Sequence, residues 1–266
     1  MLKRLKSHHL GSIVAAAILV VAAFVGASLA GAADQGGTVS SSATGPCRMG
    51  PSSPIGPRGP SHPPCEPANV AVVAGTTWHL GDGQPGATLP TFNYGIRPLT
   101  PIMGDWNCDG VNTVGTFERG TFRLNDQNDA TGAEHTFVFG DPRGFAVAGD
   151  FDGNCYDDVA VYRSGTWQVQ YLGPGAPHDH TFTLPAPFGQ GNWPNTVPVA
   201  GDWNGAAVPG EGIGTYDLAT ATWVLKDEVG TGAPDYGPFV FGTPGGSYPV
   251  VGDWNGDGFD TPATGR

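Results

Sequence analysis

Four short acidic turns contain the residues of this chain whose types and spacing suit a chemical role. Each begins with Gly-Asp, continues with Trp or Phe and then Asn or Asp, and the leading aspartates are Asp105, Asp150, Asp202 and Asp253. Carboxylate and amide oxygens at alternate positions of a tight loop can converge on one ion, and Ca²⁺ takes six to eight oxygen ligands. The turns therefore predict calcium sites that make them rigid and take no catalytic part.

The ligand sets differ from turn to turn. The predicted metal ligands are Asp105, Asn107, Asp109 and Asn112 in the first turn, Asp150, Asp152, Asn154 and Asp158 in the second, and Asp253, Asn255, Asp257 and Asp260 in the fourth. The fourth set is the most complete, whereas Cys155 replaces the turn glycine in the second. The third turn keeps Asp202 and Asn204 but is interrupted by Ala206 and Ala207, so its ion is predicted to be lost unless Glu211 compensates.

A simpler interpretation of the same turns stays open. Asp and Asn side chains often accept hydrogen bonds from their own backbone two residues on, without any metal. That interpretation requires Asp or Asn at the first position and asks little of the third and fifth. It fits the third turn, while the other three turns favour calcium.

The turns recur within a repeated pattern of short strands. The leading aspartates are 45, 52 and 51 residues apart, and a strand-rich repeat of this length is typical of propeller blades. Each unit is predicted to have a strand after the Asp turn, a second strand centred on Thr-aromatic, a third ending in aromatic-Gly, and a Val-rich fourth that leads into the next turn. The aromatic residue that follows each leading aspartate is predicted to pack against the sheets.

The two ends of the repeat region predict how the units close. The folded part is expected to start with a second strand over Gly75 to Leu80, and residues 260–266 read as a turn plus a first strand without a second. We therefore expect an all-β, four-bladed propeller of four-stranded antiparallel blades, with the C-terminal strand completing the N-terminal blade. Closure of this kind leaves no open sheet edge.

Several of these features resemble a known family. The segment Asp253-Trp254-Asn255-Gly256-Asp257-Gly258, the Phe-Gly stops and the Thr-Trp second strands resemble the FG-GAP/VCBS-like, or integrin-type, propeller repeats of secreted bacterial proteins. The resemblance covers about residues 70–266. It implies that the Asp turns bind calcium and that the propeller serves adhesion or ligand recognition.

The N-terminal quarter of the chain predicts export. Residues 1–33 combine a basic start, an uncharged apolar stretch and small residues, as in a signal peptide that is cleaved or retained as a membrane anchor. Residues 34–68 are rich in Pro, Gly and Ser and predict a linker, and residues 69–266 are the expected propeller. The protein is therefore expected to be secreted or held in the cell envelope.

Charge and cysteine content narrow the partners. The formal net charge is −12, and residues 1–33 contain three of the cations and no acid, so the exported part is more acidic still. Such a surface repels nucleic acid. Four cysteines permit disulfides in an exported chain; Cys47–Cys65 with Cys108–Cys155 needs the least rearrangement, although other connectivities stay open.

Other candidates are weaker. His178-Asp179-His180 lies in a Pro/Gly-rich loop without a third ligand, and Trp193 is the single tryptophan outside the repeat. No nucleophile motif stands out. The sequence favours a calcium-stabilised module that binds an extracellular protein or glycan, with a secreted hydrolase or lyase, or a tethered structural component of the envelope, as the alternatives.

Overall fold

The fold is all-β in a computed structural model that describes residues 37–41, 70–81, 91–97, 99–175, 179–188, 195–205, 210–253 and 259–265. These residues form strands and turns and contain no helix, which confirms the predicted class. None of them belongs to a helix long and apolar enough to cross a membrane. The predicted targeting segment and most of the predicted linker lie outside the described residues.

Eighteen strands follow one another along these ranges. They are β1 (Gly37–Ser41), β2 (Val70–Ala74), β3 (Thr77–Gly81), β4 (Thr91–Asn93), β5 (Thr100–Gly104), β6 (Thr113–Glu118), β7 (Thr121–Leu124), β8 (His135–Val138), β9 (Phe145–Gly149), β10 (Asp158–Arg163), β11 (Thr166–Gln170), β12 (His180–Thr183), β13 (Thr196–Gly201), β14 (Gly212–Asp217), β15 (Thr222–Lys226), β16 (Tyr236–Val240), β17 (Tyr248–Gly252) and β18 (Thr261–Gly265). Strand β1 lies inside the range assigned to the linker.

Consecutive strands pair into antiparallel sheets. Four sheets have four strands each, β1 to β4, β5 to β8, β9 to β12 and β13 to β16, and a fifth sheet consists of β17 and β18. We call them sheets 1 to 5. In sheets 2, 3, 4 and 5 an Asp turn joins the first strand to the second, as where Gly104 pairs with Thr113 and Gly149 with Asp158.

Three expectations about the repeat need correction. The Val-rich strand before each Asp turn is the first strand of its own sheet, because it pairs across the turn, and does not complete the preceding unit. The first sheet already contains β1 and β2 ahead of the Thr-Trp strand β3. The C-terminal strand β18 pairs with β17, not with the N-terminal sheet, so the described residues form five sheets instead of four blades.

The sheets pack on one another in chain order. The first strands β1, β5, β9, β13 and β17 contact their successors, and β17 also contacts β1. Apolar clusters fill the space between neighbouring sheets: Phe122 and Leu124 of sheet 2 pack with Val159 and Val161 of sheet 3. The third strands alternate, as β11 does in burying Trp167 and Val169, because successive side chains of a strand point to opposite faces.

Candidate metal centre and the acidic turns

The second Asp turn is shaped by its own first carboxylate. Asp150 Oδ1 accepts the backbone N–H groups of Gly153 and Asn154 at 2.7 and 3.0 Å, and Oδ2 accepts that of Cys155 at 2.9 Å. Cys155 has a φ of 76°, a conformation that glycine adopts more readily. This is the local turn chemistry that the metal-free interpretation requires.

Further carboxylates converge on this turn beyond the needs of capping. Asp150, Asp152 and Asp158 each place one oxygen within 4.8 Å of the others. Asp158 enters from the start of β10, where its oxygens accept the N–H groups of Phe151 at 3.0 Å and Leu172 at 2.6 Å. The antiparallel pairing of β9 with β10 sets Asp158 opposite Gly149, and this brings it beside the turn.

Burial makes the cluster electrostatically costly. It raises the pKa of Asp158 to about 9, against the effect of the hydrogen bond from Leu172, and the charges of Asp152 and Asp150 add to the rise. Burial also raises the pKa of Asp150 and of Asp152. Three carboxylates held this close together, two of them buried, resist ionisation unless protons or a cation balance them. Their oxygens supply much of a calcium shell, so the residues of this turn fit the ion.

Asn154, the remaining predicted ligand of this turn, forms hydrogen bonds with other groups of the protein. Its side-chain nitrogen donates to Asp152 Oδ2 at 3.1 Å and to the Leu172 carbonyl at 2.9 Å, while its Oδ1 accepts the N–H of Tyr156 at 2.8 Å. Asn154 therefore ties the turn to the end of β11 and orients Asp152.

The first turn repeats the capping but not the convergence. Asp105 accepts the N–H groups of Asp109 and Gly110 at 3.0 and 2.8 Å, and the side chain of Asn107 donates to Asp109 Oδ2 at 3.0 Å. Burial raises the pKa of Asp105. The buried Asn112 accepts the Asn128 side-chain nitrogen through its backbone carbonyl at 3.0 Å.

The third turn is held without a predicted ion. Asp202 Oδ1 accepts the N–H of Gly205 at 2.8 Å, which matches the metal-free interpretation. Burial raises the pKa of the neighbouring Asp227, and a hydrogen bond from Asn204 opposes that rise. Asn204 thus links the third turn to Asp227, which follows β15.

The fourth turn is described only at its edges. Asn255 and Asp257 lie outside the described residues, while Asp253 and Asp260 lie within them. The carboxylate of Asp260 is directed to a neighbouring turn, where Oδ2 accepts the N–H of Asp202 at 2.9 Å. The assignment of Asp260 as a ligand of its own turn stays a prediction.

Asp260 belongs to a series of contacts between successive turns that the sequence analysis missed. The residue directly before the second strand of a sheet donates its N–H to the carbonyl of the leading aspartate in the preceding turn: Asp157 to Asp105 at 2.9 Å, Glu211 to Asp150 at 2.6 Å, and Asp260 to Asp202 at 2.7 Å. In return, Asp157 Oδ2 accepts the Asp105 N–H at 3.0 Å. We call these pairs the cross-turn contacts.

Glu211 therefore serves the second turn, not its own. It is buried, one side-chain oxygen has no hydrogen-bond partner, and burial with the charges of Asp157, Asp260, Asp150 and Asp202 raises its pKa well above the usual range. Its carboxylate lies against Gly149, directly before the second turn, and the expectation that it compensates the third turn stays a prediction.

The glycine before each leading aspartate makes room for these contacts. A methyl group on Gly104 would lie 2.9 Å from the Asp157 carboxylate, one on Gly201 would lie 3.0 Å from that of Asp260, and Gly149 is tighter still against Glu211. Two features of the sequence could have revealed the cross-turn contacts, namely the recurring Gly-Asp pair and the polar residue before each following strand.

A disulfide joins the first and second turns. Cys108 and Cys155 are bonded, as the least-rearrangement pairing predicted, and they link sheets 2 and 3 beside the cross-turn contact of Asp105 with Asp157. Cys47 and Cys65 lie outside the described residues.

The tryptophans and histidines are placed as follows. The repeat tryptophans within the described residues are buried, namely Trp78, Trp106, Trp167, Trp203 and Trp223, which confirms their structural interpretation. His180 is exposed at the start of β12. His178, Trp193 and Trp254 lie outside the described residues.

Comparison with known proteins adds no family to this description. No protein-family model matches the chain, and no curated protein is significantly similar to it. The resemblance to FG-GAP/VCBS-like repeats therefore stays a prediction from the residues.

Proposed function

We propose that this chain is an exported recognition module, a calcium-stabilised β-propeller that binds an extracellular protein or glycan through its turn end. The observation that carries the proposal is the convergence of Asp150, Asp152 and Asp158 on a turn that is stapled to its neighbour. A rigid, acidic end of this kind suits recognition, because a preorganised surface loses little entropy on binding.

The propeller part of the proposal is supported by the first strands. They contact one another in chain order, and β17 contacts β1, as expected for five sheets around one axis. In this arrangement β1 to β4 form a complete blade, and β17 with β18 belong to the fifth. A closed ring would protect the first strands, which would otherwise leave an unpaired face at each end of the stack.

The calcium part is supported by the charge balance of the second turn. A bound divalent cation would remove the penalty that burial imposes on the three carboxylates. Extracellular modules of this type bind calcium with dissociation constants on the order of 10⁻⁴ to 10⁻³ M. The ion would then stabilise the turn and, through the disulfide, the adjacent sheet.

Thermal unfolding of the exported chain in calcium and in chelator tests this part. Asp152→Asn is the informative variant, and Asp109→Asn, in the first turn, is the matched control. We expect calcium to raise the melting temperature of the wild type and of Asp109→Asn, but not of Asp152→Asn. Equal responses from all three proteins would place the ion elsewhere, and no response would leave only self-capped turns.

Recognition is tested with the calcium-loaded chain on a glycan array and on purified extracellular proteins immobilised on a sensor surface. We expect saturable binding to one class, weakened when calcium is removed. Turnover of a glycan or peptide without stable binding would instead favour the hydrolase or lyase alternative.

A further inference from the structure

A cavity opens between sheets 2 and 3 at the end that carries the Asp turns. Its volume is about 220 Å³. The wall is mostly apolar and aromatic, and the residues that form it are Trp106, Leu124, His135, Phe137, Tyr156 and Leu172. Their side chains supply no ligand to the proposed metal centre, although the backbones of Tyr156 and Leu172 bond to Asn154 and Asp158 at its edge.

A disulfide links the two walls of this cavity. One wall belongs to sheet 2 and the other, with Tyr156 and Leu172, to sheet 3. The Cys108–Cys155 disulfide joins them two residues from Trp106 and one from Tyr156. On the floor, Leu124 is fully buried and Trp106 is only 4% exposed. A ligand would therefore find the cavity already formed and would pay little to order its walls.

The rim of the cavity is acidic. His135 Nε2 lies 3.0 Å from Asp126 Oδ1, and the Asp126 N–H donates to Glu134 Oε2 at 3.0 Å. These groups add to the negative charge of the chain as a whole, so a cationic ligand is favoured over an anionic one.

The side chains that line the cavity indicate which chemical group it can bind. A sugar ring needs several polar partners around its hydroxyl groups, whereas this wall offers carbon atoms from five apolar or aromatic side chains. Cavities of this kind at interfaces are commonly filled by one buried apolar or aromatic anchor.

We propose that the cavity receives a single apolar side chain carried on a basic peptide segment of a protein partner. The proposal rests on the function as a recognition module and chooses a protein over a glycan. The anchor would fill the space between Phe137 and Leu172 while cationic residues on either side lie near Asp126 and Glu134.

The test uses labelled peptides in which one variable residue is flanked by lysines, measured by fluorescence anisotropy on the exported chain in calcium. The variable residue is Leu, Phe or Ala, and a second series has glutamates in place of the lysines. Burial of a Leu or Phe side chain predicts about ten- to hundred-fold tighter binding than the Ala peptide. Rising salt should weaken the lysine series, since surface charges are screened within about 10 Å at 0.1 M.

Two matched variants locate the binding. His135 and His180 both begin the fourth strand of their sheets, pair with Leu124 and Val169 respectively, and are exposed. Only His135 lines the cavity. His135→Trp should obstruct the cavity and weaken the Leu peptide at least about tenfold, whereas His180→Trp should leave its affinity unchanged. Melting temperatures of both variants check that they fold.

Each outcome decides the proposal. Selective loss in His135→Trp supports it. Equal binding to both variants, equal binding of Leu and Ala peptides, or equal binding of the glutamate series would overturn it while leaving a recognition function intact. Absence of binding by every peptide also overturns it, and the glycan array and immobilised proteins then decide separately whether the module recognises anything.

Discussion

Acidification is expected to stabilise the calcium-free protein between about pH 8 and pH 5. Burial raises the pKa of Asp158 to about 9 in the folded chain, against an ordinary value of 3.8. Between those two values the folded state holds a proton that the unfolded state has lost. Stability is therefore greatest below the unfolded pKa and falls as pH rises toward the folded pKa, the opposite of the usual behaviour of a carboxylate.

The size of the effect follows from one proton. A single proton difference is worth about 1.36 kcal/mol per pH unit, so three pH units amount to about 4 kcal/mol. For a domain of this length that corresponds to roughly 8–16 °C in melting temperature. The raised pKa values of Asp150 and Asp152 act in the same direction. The lowered pKa values of Asp129 and Asp141 matter only below the unfolded pKa of 3.8, outside this window.

The assay is calorimetric unfolding at several pH values, once with chelator and once with saturating calcium. The ion needs the ionised carboxylates, so calcium should flatten or reverse the trend. Asp158→Asn removes the titrating group, and its calcium-free slope should be smaller by about one proton per molecule.

Two results would refute this reasoning. A melting temperature in chelator that stays constant or rises toward pH 8 would mean that the Asp158 carboxylate ionises normally in the folded protein. An unchanged slope in Asp158→Asn would assign the proton uptake to the cross-turn acids, because the pKa values of Glu211 and Asp260 are also raised, that of Asp260 to about 7.

Three further predictions concern the junctions between sheets. Replacing both Cys108 and Cys155 by Ser should lower the free energy of unfolding, measured in urea, by about 4 kcal/mol. The reason is the closure entropy of a loop with a sequence separation of 47. Equal stability of the oxidised and substituted proteins would show that the disulfide contributes nothing to stability. Gly104→Ala should lower the free energy of unfolding by about 1–3 kcal/mol, because the new methyl group would lie 2.6 Å from the Trp106 ring. Gly246→Ala is the control, since its methyl group would have its nearest neighbour at 3.5 Å, and its stability should stay near that of the wild type. Asp157→Ala should cost about 1–3 kcal/mol by leaving the Asp105 N–H without its acceptor, and a hydrogen-exchange rate at that amide equal to the wild type would contradict the cross-turn contact.

The sequence predicted the strands well because their signals are local. Period-two alternation places Trp167 and Val169 on one buried face, and turn residues separate β10 from β11 at Ser164-Gly165. The grouping of strands into sheets was wrong because the Val-rich strand is separated from both neighbours by turns of similar composition. Pairing across the Asp turn depends on hydrogen bonds that the repeat pattern does not encode.

By itself, the sequence determined that the chain forms short antiparallel strands, that Asp and Asn recur in the turns between them, and that Cys108 and Cys155 lie in neighbouring copies. These properties depend on residue types a few positions apart. The sequence also grouped Asp158 with Asp150 and Asp152, and these three lie together. Only the tertiary structure decided that Asp157, Glu211 and Asp260 reach the preceding turn and that a cavity lies between sheets 2 and 3. Those relations depend on how one sheet packs against the next. Such packing brings together residues about fifty positions apart or more, and their spacing in the sequence does not predict which of them will be in contact.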